Sequence, residues 1–290
     1  MLPSATGGTW SRDDRPLYFL ASTPDTLADC GGTDVLMAMN DLHTPRHEEI
    51  VADLVGQGVR ILIDSGIYNL TMSHARLHRI SMDEALRTPV DRIDGFQALY
   101  ARYVGFLRRW GSRVWGYIEL DLGGPEGKRA TRARLEALGL QPIPVYHPLN
   151  DGWDYFDELA EGDDRLCFGN VVHASLYTRL RLVATAWERK RHYPELWIHL
   201  LGMTPNEWLN AYPIDSCDSS AWLGTVRWDG YDERTCLKTL GKLPKNFQYQ
   251  LGDRGTWTLG RQMGSMGALL NQANYRRHLA ALREVGLYAD

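Results

Sequence analysis

The sequence predicts an α/β fold: a (β/α)8 TIM-barrel-like domain with a less regular C-terminal extension. Three observations lead there. Short apolar runs recur along the chain without polar alternation, as in parallel strands buried on both faces. Helical patterns lie between most of them. Three of the runs end in aspartate, which fits a barrel whose strand C-terminal ends share one face where chemistry is built. A Rossmann-like open sheet is the runner-up.

The predicted strands are Leu17–Ala21, Val35–Met39, Arg60–Ile63, Val114–Leu120, Pro142–Tyr146, Arg165–Phe168, Leu196–Leu200 and Ile214–Cys217. Predicted helices run from about Pro45 to Gly56, Asp91 to Trp110, Lys128 to Leu138, Asp154 to Ala160, Leu176 to Tyr193 and Thr204 to Ala211, with a last one near Asn271–Val285. We place the barrel core in residues 1–222. Residues 223–290 are expected to form an extension that completes the barrel and could contact nucleic acid.

Composition narrows the classes. The chain has 290 residues, within the usual size of one barrel domain, and 44% hydrophobic residues, enough for a core. No apolar run approaches the ~20 residues of a membrane span. The N-terminus lacks the basic flank and apolar stretch of a signal peptide, so a cytoplasmic location is expected, the host cytoplasm if the source is viral. Four cysteines, Cys30, Cys167, Cys217 and Cys236, are widely spread and read as reduced thiols. The net charge of −4 does not announce a nucleic-acid binder, although a local basic face is compatible with it. Most of the ten tryptophans are expected in the core or at its rim.

The most informative stretch is Tyr212-Pro-Ile-Asp-Ser-Cys-Asp-Ser-Ser-Ala-Trp222. It sets Asp215 and Asp218 at the end of an apolar run, where a carboxylate costs desolvation energy unless it has a partner or a task. Arg60-Ile-Leu-Ile-Asp64-Ser65-Gly66 and Trp115-Gly-Tyr-Ile-Glu-Leu-Asp121 repeat the pattern. Residue type alone leaves alternatives open: Asp218 also suits a helix N-cap, Asp64 a turn, and Asp121 a loop start before Gly123-Gly124.

Read in order, the motifs resemble the tRNA-guanine transglycosylase superfamily, and most closely its small bacteriophage members that exchange guanine for a 7-deazaguanine in DNA. The resemblance spans roughly Ile61 to Trp222. Asp64-Ser-Gly-Ile-Tyr68 resembles the family's Asp-Ser-Gly-Gly-Phe element, and Glu119-Leu-Asp121 falls where the family carries a base-recognising aspartate. Pro144-Val-Tyr-His147 stands in place of a Val-Gln-Gly strand, and Phe168-Gly169-Asn170-Val-Val172 in place of a Gly-Gly-Leu loop. His199-Leu-Leu-Gly202-Met203 resembles a His-Tyr-Leu-Met-Gly strand, and Ile214-Asp-Ser-Cys-Asp218-Ser an Asp-x-Phe-Asp-Cys nucleophile site.

The resemblance implies a pentosyltransferase that works without a cofactor, in the queuosine-like chemistry of DNA modification. Asp218 would be the nucleophile on the sugar C1′ and Asp64 the general acid/base. The base would be held by Asp121, His147, Gly169, Asn170, Tyr68, Leu201 and Ser65. The partners implied are DNA with a guanosine target and a free 7-deazaguanine base such as preQ0, with tRNA ranked behind DNA; homodimerisation is left open. Departures from the family pattern are His147 for glutamine, Asn170 for the second glycine, Tyr68 for phenylalanine and Leu201 for methionine. They bear on which base is inserted more than on the reaction type.

The tRNA enzymes' Cys-x-Cys-x-x-Cys…His zinc spacing is missing, so no metal is expected. His43/His47 and His74/His78 are read as surface histidines. Trp187-Glu-Arg-Lys-Arg-His192 is read as surface charge at a helix end. Beyond Trp222, Arg227, Lys238, Lys242 and Lys245 interleave with aromatics and could track phosphates. The alternatives carried are the same exchange on tRNA, a non-catalytic nucleic-acid-binding barrel, and a nucleoside or glycoside hydrolase with water as acceptor.

Overall fold

Eight parallel strands close on themselves in chain order. The computed structural model describes residues 17–28, 32–171, 174–203 and 215–220. Within them lie β1 (Leu17–Ala21), β2 (Asp34–Ala38), β3 (Arg60–Asp64), β4 (Gly116–Tyr117), β5 (Val145–Tyr146), β6 (Arg165–Phe168), β7 (Trp197–Leu200) and β8 (Ser216–Ser219). The sheet order β4-β3-β2-β1-β8-β7-β6-β5 leaves β4 and β5 as its two ends. A parallel bridge between Ile118 and Ile143 joins them. The sheet is therefore a (β/α)8 barrel, and the open Rossmann-like alternative is excluded.

The seam between β4 and β5 is the thinnest part of the wall. The run from Pro142 to Tyr146 was expected to be one strand, but only Val145–Tyr146 is. Pro142 and Pro144 have no N–H to give to a ladder. The Val145 N–H goes instead to the Glu119 side chain, 2.7 Å away. Glu119 thus staples the seam with a carboxylate where backbone pairing stops.

The helices are α1 (Pro24–Ala28), α2 (Pro45–Gly56), α3 (Ile67–His78), α4 (Met82–Arg87), α5 (Phe96–Trp110), α6 (Gly124–Glu136), α7 (Trp153–Gly162) and α8 (Leu176–Lys190). α2 was predicted with these bounds. The helix expected from Asp91 starts at Phe96, because Gly95 enters it in the left-handed region (φ 83°) after a 3-10 turn at Val90–Arg92. α3 and α4 were not foreseen. α3 buries Ile67, Thr71, His74 and Ala75, a face half made of polar residues, and the six-residue α4 buries Ala85 and Leu86. The helices predicted at 204–211 and 271–285, and the whole extension 223–290, lie outside the described residues.

Inside the barrel sit Leu17, Phe19, Leu36, Leu62, Trp115, Ile118, Ile143, Val145, Cys167 and Trp197. Phe19 and Trp197 each pack on Trp115, with ring centroids 5.0 and 5.7 Å apart. A larger apolar cluster lies elsewhere in the structure and takes in the buried faces of α2, α5, α7 and α8. Cys167 and Cys217 are free and buried.

Charges near the N-terminal ends of the strands are paired. Asp34 and Arg60, the first residues of β2 and β3, form an ion pair. Arg165, first in β6, donates to the Trp115 carbonyl (2.9 Å) with its guanidinium over the indole. Asp215 belongs to this end and not, as the sequence suggested, to the end that carries Asp218. It precedes β8, takes the Ile198 N–H at 2.7 Å and pairs with Lys190. Lys190 in turn is not the surface charge expected of 187–192. It lies on the buried stripe of α8 with Leu182, Val183 and Ala186, one and two turns apart. His47 and His74, expected on the surface, are also buried.

Both partners of the Lys190–Asp215 pair are almost fully enclosed. Removing one strands the other, so Lys190→Met is expected to lower the unfolding free energy by about 3–5 kcal/mol. Urea denaturation checks this; a surface lysine would change it by less than about 0.5 kcal/mol.

Candidate active site

In a strand, side chains two residues apart share a face, so the interior cluster fixes which residues look into the barrel. Leu62 leads to Asp64, Val145 to His147, Cys167 to Gly169 and Trp197, through His199, to Leu201. The Trp197 Nε1–H donates to Ser216 Oγ, which puts Ser216 inside and carries Asp218 with it. These residues end one inward row after another, at the C-terminal mouth of the barrel.

Asp64 closes β3. The Met39 N–H holds its carbonyl (2.9 Å), and the Gly66 N–H donates to its Oδ1 (3.2 Å). Gly66 sits at φ 77°, and a Cβ there would fall 2.7–2.9 Å from the Asn40 side chain. Asn40 uses that closeness to donate its amide to the Gly66 carbonyl at 2.8 Å. The tight Asp-Ser-Gly turn therefore depends on glycine. Desolvation, then the negative charge of Asp121, with smaller contributions from Asp218 and Asp41, pushes the Asp64 carboxyl up to about 7; the Gly66 N–H opposes them.

Asp121 lies beyond β4, with its side chain 16% exposed and its Oδ2 2.7 Å from His147 Nε2. His147 is positioned from below. Its backbone N–H donates to Asp151 (2.7 Å), and Asp151 pairs with the fully buried Lys128, which also donates to the Val145 carbonyl. Gly169 lets three strand ends meet: a Cβ there would fall 3.1–3.3 Å from Val145, the His147 ring and Leu201. Asn170 is left-handed at φ 59°, a conformation that glycine adopts freely and asparagine tolerates better than most. Among the described residues its buried amide nitrogen has no hydrogen-bond partner.

Asp218 pairs with Phe19 in register and is nearly buried. Its Oδ1 takes the Gly202 N–H at 2.8 Å and lies 3.2 Å from His199 Nε2. The other His199 nitrogen lies 2.8 Å from Ser216 Oγ.

The mouth thus gathers Asp64, Asp121, His147, Gly169, Asn170, Leu201 and Asp218. Tyr68, in the first turn of α3 just past Asp64, is 41% exposed. Ser65, just past β3, is fully buried, and its Oγ accepts from the Ile67 N–H. Sequence reasoning passed over Asn40, Lys128, Asp151, His199 and Ser216. The signals for the last two were the pairs Trp197-x-His199 and Ser216-x-Asp218, which line one face of adjacent strands. Arg227, Lys238, Lys242 and Lys245 lie outside the described residues. Among the described residues no group of three His, Cys, Asp or Glu side chains is placed to hold a metal ion, and no helix is long and apolar enough to cross a membrane.

No family model matches the chain, and no curated protein does. Solved structures similar to it include the tryptophan synthase alpha chain of Legionella pneumophila subsp. pneumophila, at 11% identity and TM-score 0.45, covering 89% of this chain and 90% of that one. Tryptophan synthase from M. tuberculosis, in an open form with BRD0059 bound, is 12% identical with TM-score 0.42, covering 88% and 91%. Similarity this distant has no bearing on activity.

The raised Asp64 carboxyl sets a stability prediction. Its folded value of about 7 stands above an ordinary value of 3.8, so ionising it opposes folding. The penalty is absent below about pH 4, grows as pH rises and is complete above about 7. Asp64→Asn is therefore expected to melt about 2–6 °C above the parent at pH 8, with the gap closing toward pH 4, by scanning calorimetry.

Proposed function

We propose that the chain is a guanine transglycosylase that replaces a guanine in DNA by a 7-deazaguanine through a covalent aspartyl-glycosyl intermediate. The observation that carries this reading is the pairing of unlike carboxylates at one barrel mouth. Asp64 is pushed toward neutrality by burial and then by the charge of Asp121, whereas Asp218 has two hydrogen-bond donors on one oxygen. Retaining glycosyl transfer needs that division, one group to carry a proton and one to bond to the sugar.

In the first half-reaction an Asp218 oxygen bonds to C1′ as the bond from C1′ to the old base breaks, and Asp64 gives its proton to the departing purine. In the second, the ring nitrogen of the incoming base attacks C1′, the ester to Asp218 breaks, and Asp64 takes the proton back. Asp121 suits the N–H donors on the purine's Watson–Crick edge. By the motif resemblance, Asn170 stands in the loop that faces the same base. The target nucleotide must leave the stack, because attack at C1′ and reading of the base edge cannot both take place within a duplex. The choice of DNA and of a 7-deazaguanine rests on the motif resemblance.

Duplex DNA and tRNA carrying radioactive guanine, incubated with preQ0, test the proposal. Label release from DNA, lost in Asp218→Ala together with any trapped protein–DNA adduct, is the expected result; unaltered exchange by Asp218→Ala overturns the nucleophile assignment. Release from tRNA alone would move the substrate. Asp121→Asn is expected to weaken selection among bases more than DNA binding. Because the first step needs protonated Asp64, kcat/KM should fall as pH rises through about 7.

A further inference from the structure

A chain of hydrogen bonds runs under the mouth from an indole to the Asp218 carboxylate, and its direction can be worked out from which atoms can donate. The Trp197 Nε1–H can only donate, so Ser216 Oγ, 2.7 Å away, accepts there. The Ser216 hydroxyl proton is then free to point at His199 Nδ1, at 2.8 Å. His199 Nε2 faces Asp218 Oδ1 at 3.2 Å, where a bare lone pair would meet a carboxylate oxygen. For a ring with a single proton, the arrangement that satisfies every contact has that proton on Nε2 and the lone pair on Nδ1. The imidazole is also held sideways: it meets the Phe19 ring edge-on at 79°, with centroids 5.6 Å apart, and it is 1% exposed. The register His199↔Ser216 between β7 and β8 brings the members together.

We propose that His199 is the positioning residue of Asp218: the Trp197–Ser216–His199 chain locks its imidazole as the Nε2-protonated tautomer, which holds Oδ1 and leaves Oδ2 as the oxygen that bonds to the sugar. The chemical part of the proposal rests on the transglycosylase reading; the tautomer does not. Among the described residues Oδ2 has no protein donor, whereas Oδ1 has two, His199 Nε2–H and the Gly202 N–H. When Oδ2 forms the ester, Oδ1 becomes its carbonyl oxygen. When the incoming base displaces the ester, the electron pair of the C1′–Oδ2 bond returns to the carboxylate. Donors already set on Oδ1 stabilise that returning charge without reorganisation, so they favour the second half-reaction most.

Two measurements separate this proposal from the reaction assignment. Two-bond 15N–1H correlation on the folded protein reads the tautomer directly. Expected is a neutral, Nε2-protonated His199 that becomes a tautomer mixture in Ser216→Ala. An Nδ1-protonated or doubly protonated ring at pH 7.5, or a tautomer unmoved in Ser216→Ala, overturns the positioning role whatever the activity. The Nε2-protonated result in a protein without exchange on DNA or tRNA would uphold the positioning of Asp218 and remove the transglycosylase reading instead.

Where exchange is present, His199→Phe, which fills the same space without a donor, is expected to lower kcat by about 10²-fold. KM should stay within about threefold, and trapped adduct per enzyme should rise because ester breakdown slows most. His199→Gln, whose amide can donate from the Nε2 position, should recover most of the loss. Equal losses in both variants with no rise in adduct would show a packing role and overturn the proposal.

Discussion

Closure of the barrel is the constraint on which the rest of this structure depends. In a closed parallel wall inward and outward side chains alternate along every strand, and all strands leave at the same face. Once Leu62, Val145, Cys167, Trp197 and Ser216 point inward, Asp64, His147, Gly169, Leu201 and Asp218 must ring the mouth. No single residue chooses that arrangement. It follows from the parity of the strands and from the Ile118–Ile143 bridge that completes the circle. The weak β4–β5 seam matters for the same reason. Were it to part, Asp121 and His147, which stand on its two sides, would lose their common frame.

The two ends of the barrel treat charge differently. Near the N-terminal ends of the strands, Asp34 has Arg60 and Asp215 has Lys190, and each pair ties neighbouring elements. At the mouth, buried Asp64 feels the charges of Asp121, Asp218 and Asp41, with no cation among the described residues set against it. Like charges gathered in a low-dielectric rim oppose folding, and well-packed apolar residues would be more stable there. A chain that keeps them departs from the rule of local consistency at one place, and such departures concentrate at functional sites. Lys128 and Asp151 extend the paired pattern up to β5, where they hold the backbone of His147 and leave its ring for Asp121.

What the sequence made legible follows the same division. Strands buried on both faces read as continuous apolar runs, so β1 and β6 matched the structure end to end, and the barrel followed from their number and order. α3 was missed because half of its buried face, Ile67, Thr71, His74 and Ala75, is polar, and α4 because it is only six residues long. β5 read too long because hydrophobicity does not register that a proline lacks its N–H. Asp64 and Asp218 were legible as carboxylates on apolar runs, yet Asp215 looked the same. Only the strand register shows that Asp215 enters β8 while Asp218 leaves it. Lys190 read as surface because a charged residue on a helix is usually solvated; its place on the stripe with Val183 and Ala186 was the missed signal. His199 and Ser216 could not be joined before β7 and β8 were known to be neighbours in register.

The mouth carboxylates differ because their neighbours differ, and that difference is a matter of strand position. Asp64 ends β3 between two loops that bring further carboxylates, so burial first and then like charge press on it, with one N–H in opposition. Asp218 lies inside β8, next to a β7 whose inward row supplies an imidazole and whose exit turn, with Gly202 at φ 66°, supplies a backbone N–H. Moving either aspartate by one residue would turn it to the helical side of the wall and exchange these neighbours for apolar ones. The same alternation that builds the core therefore decides which carboxylate is poised to hold a proton and which is held by donors, and in the proposed reaction those are the acid and the nucleophile.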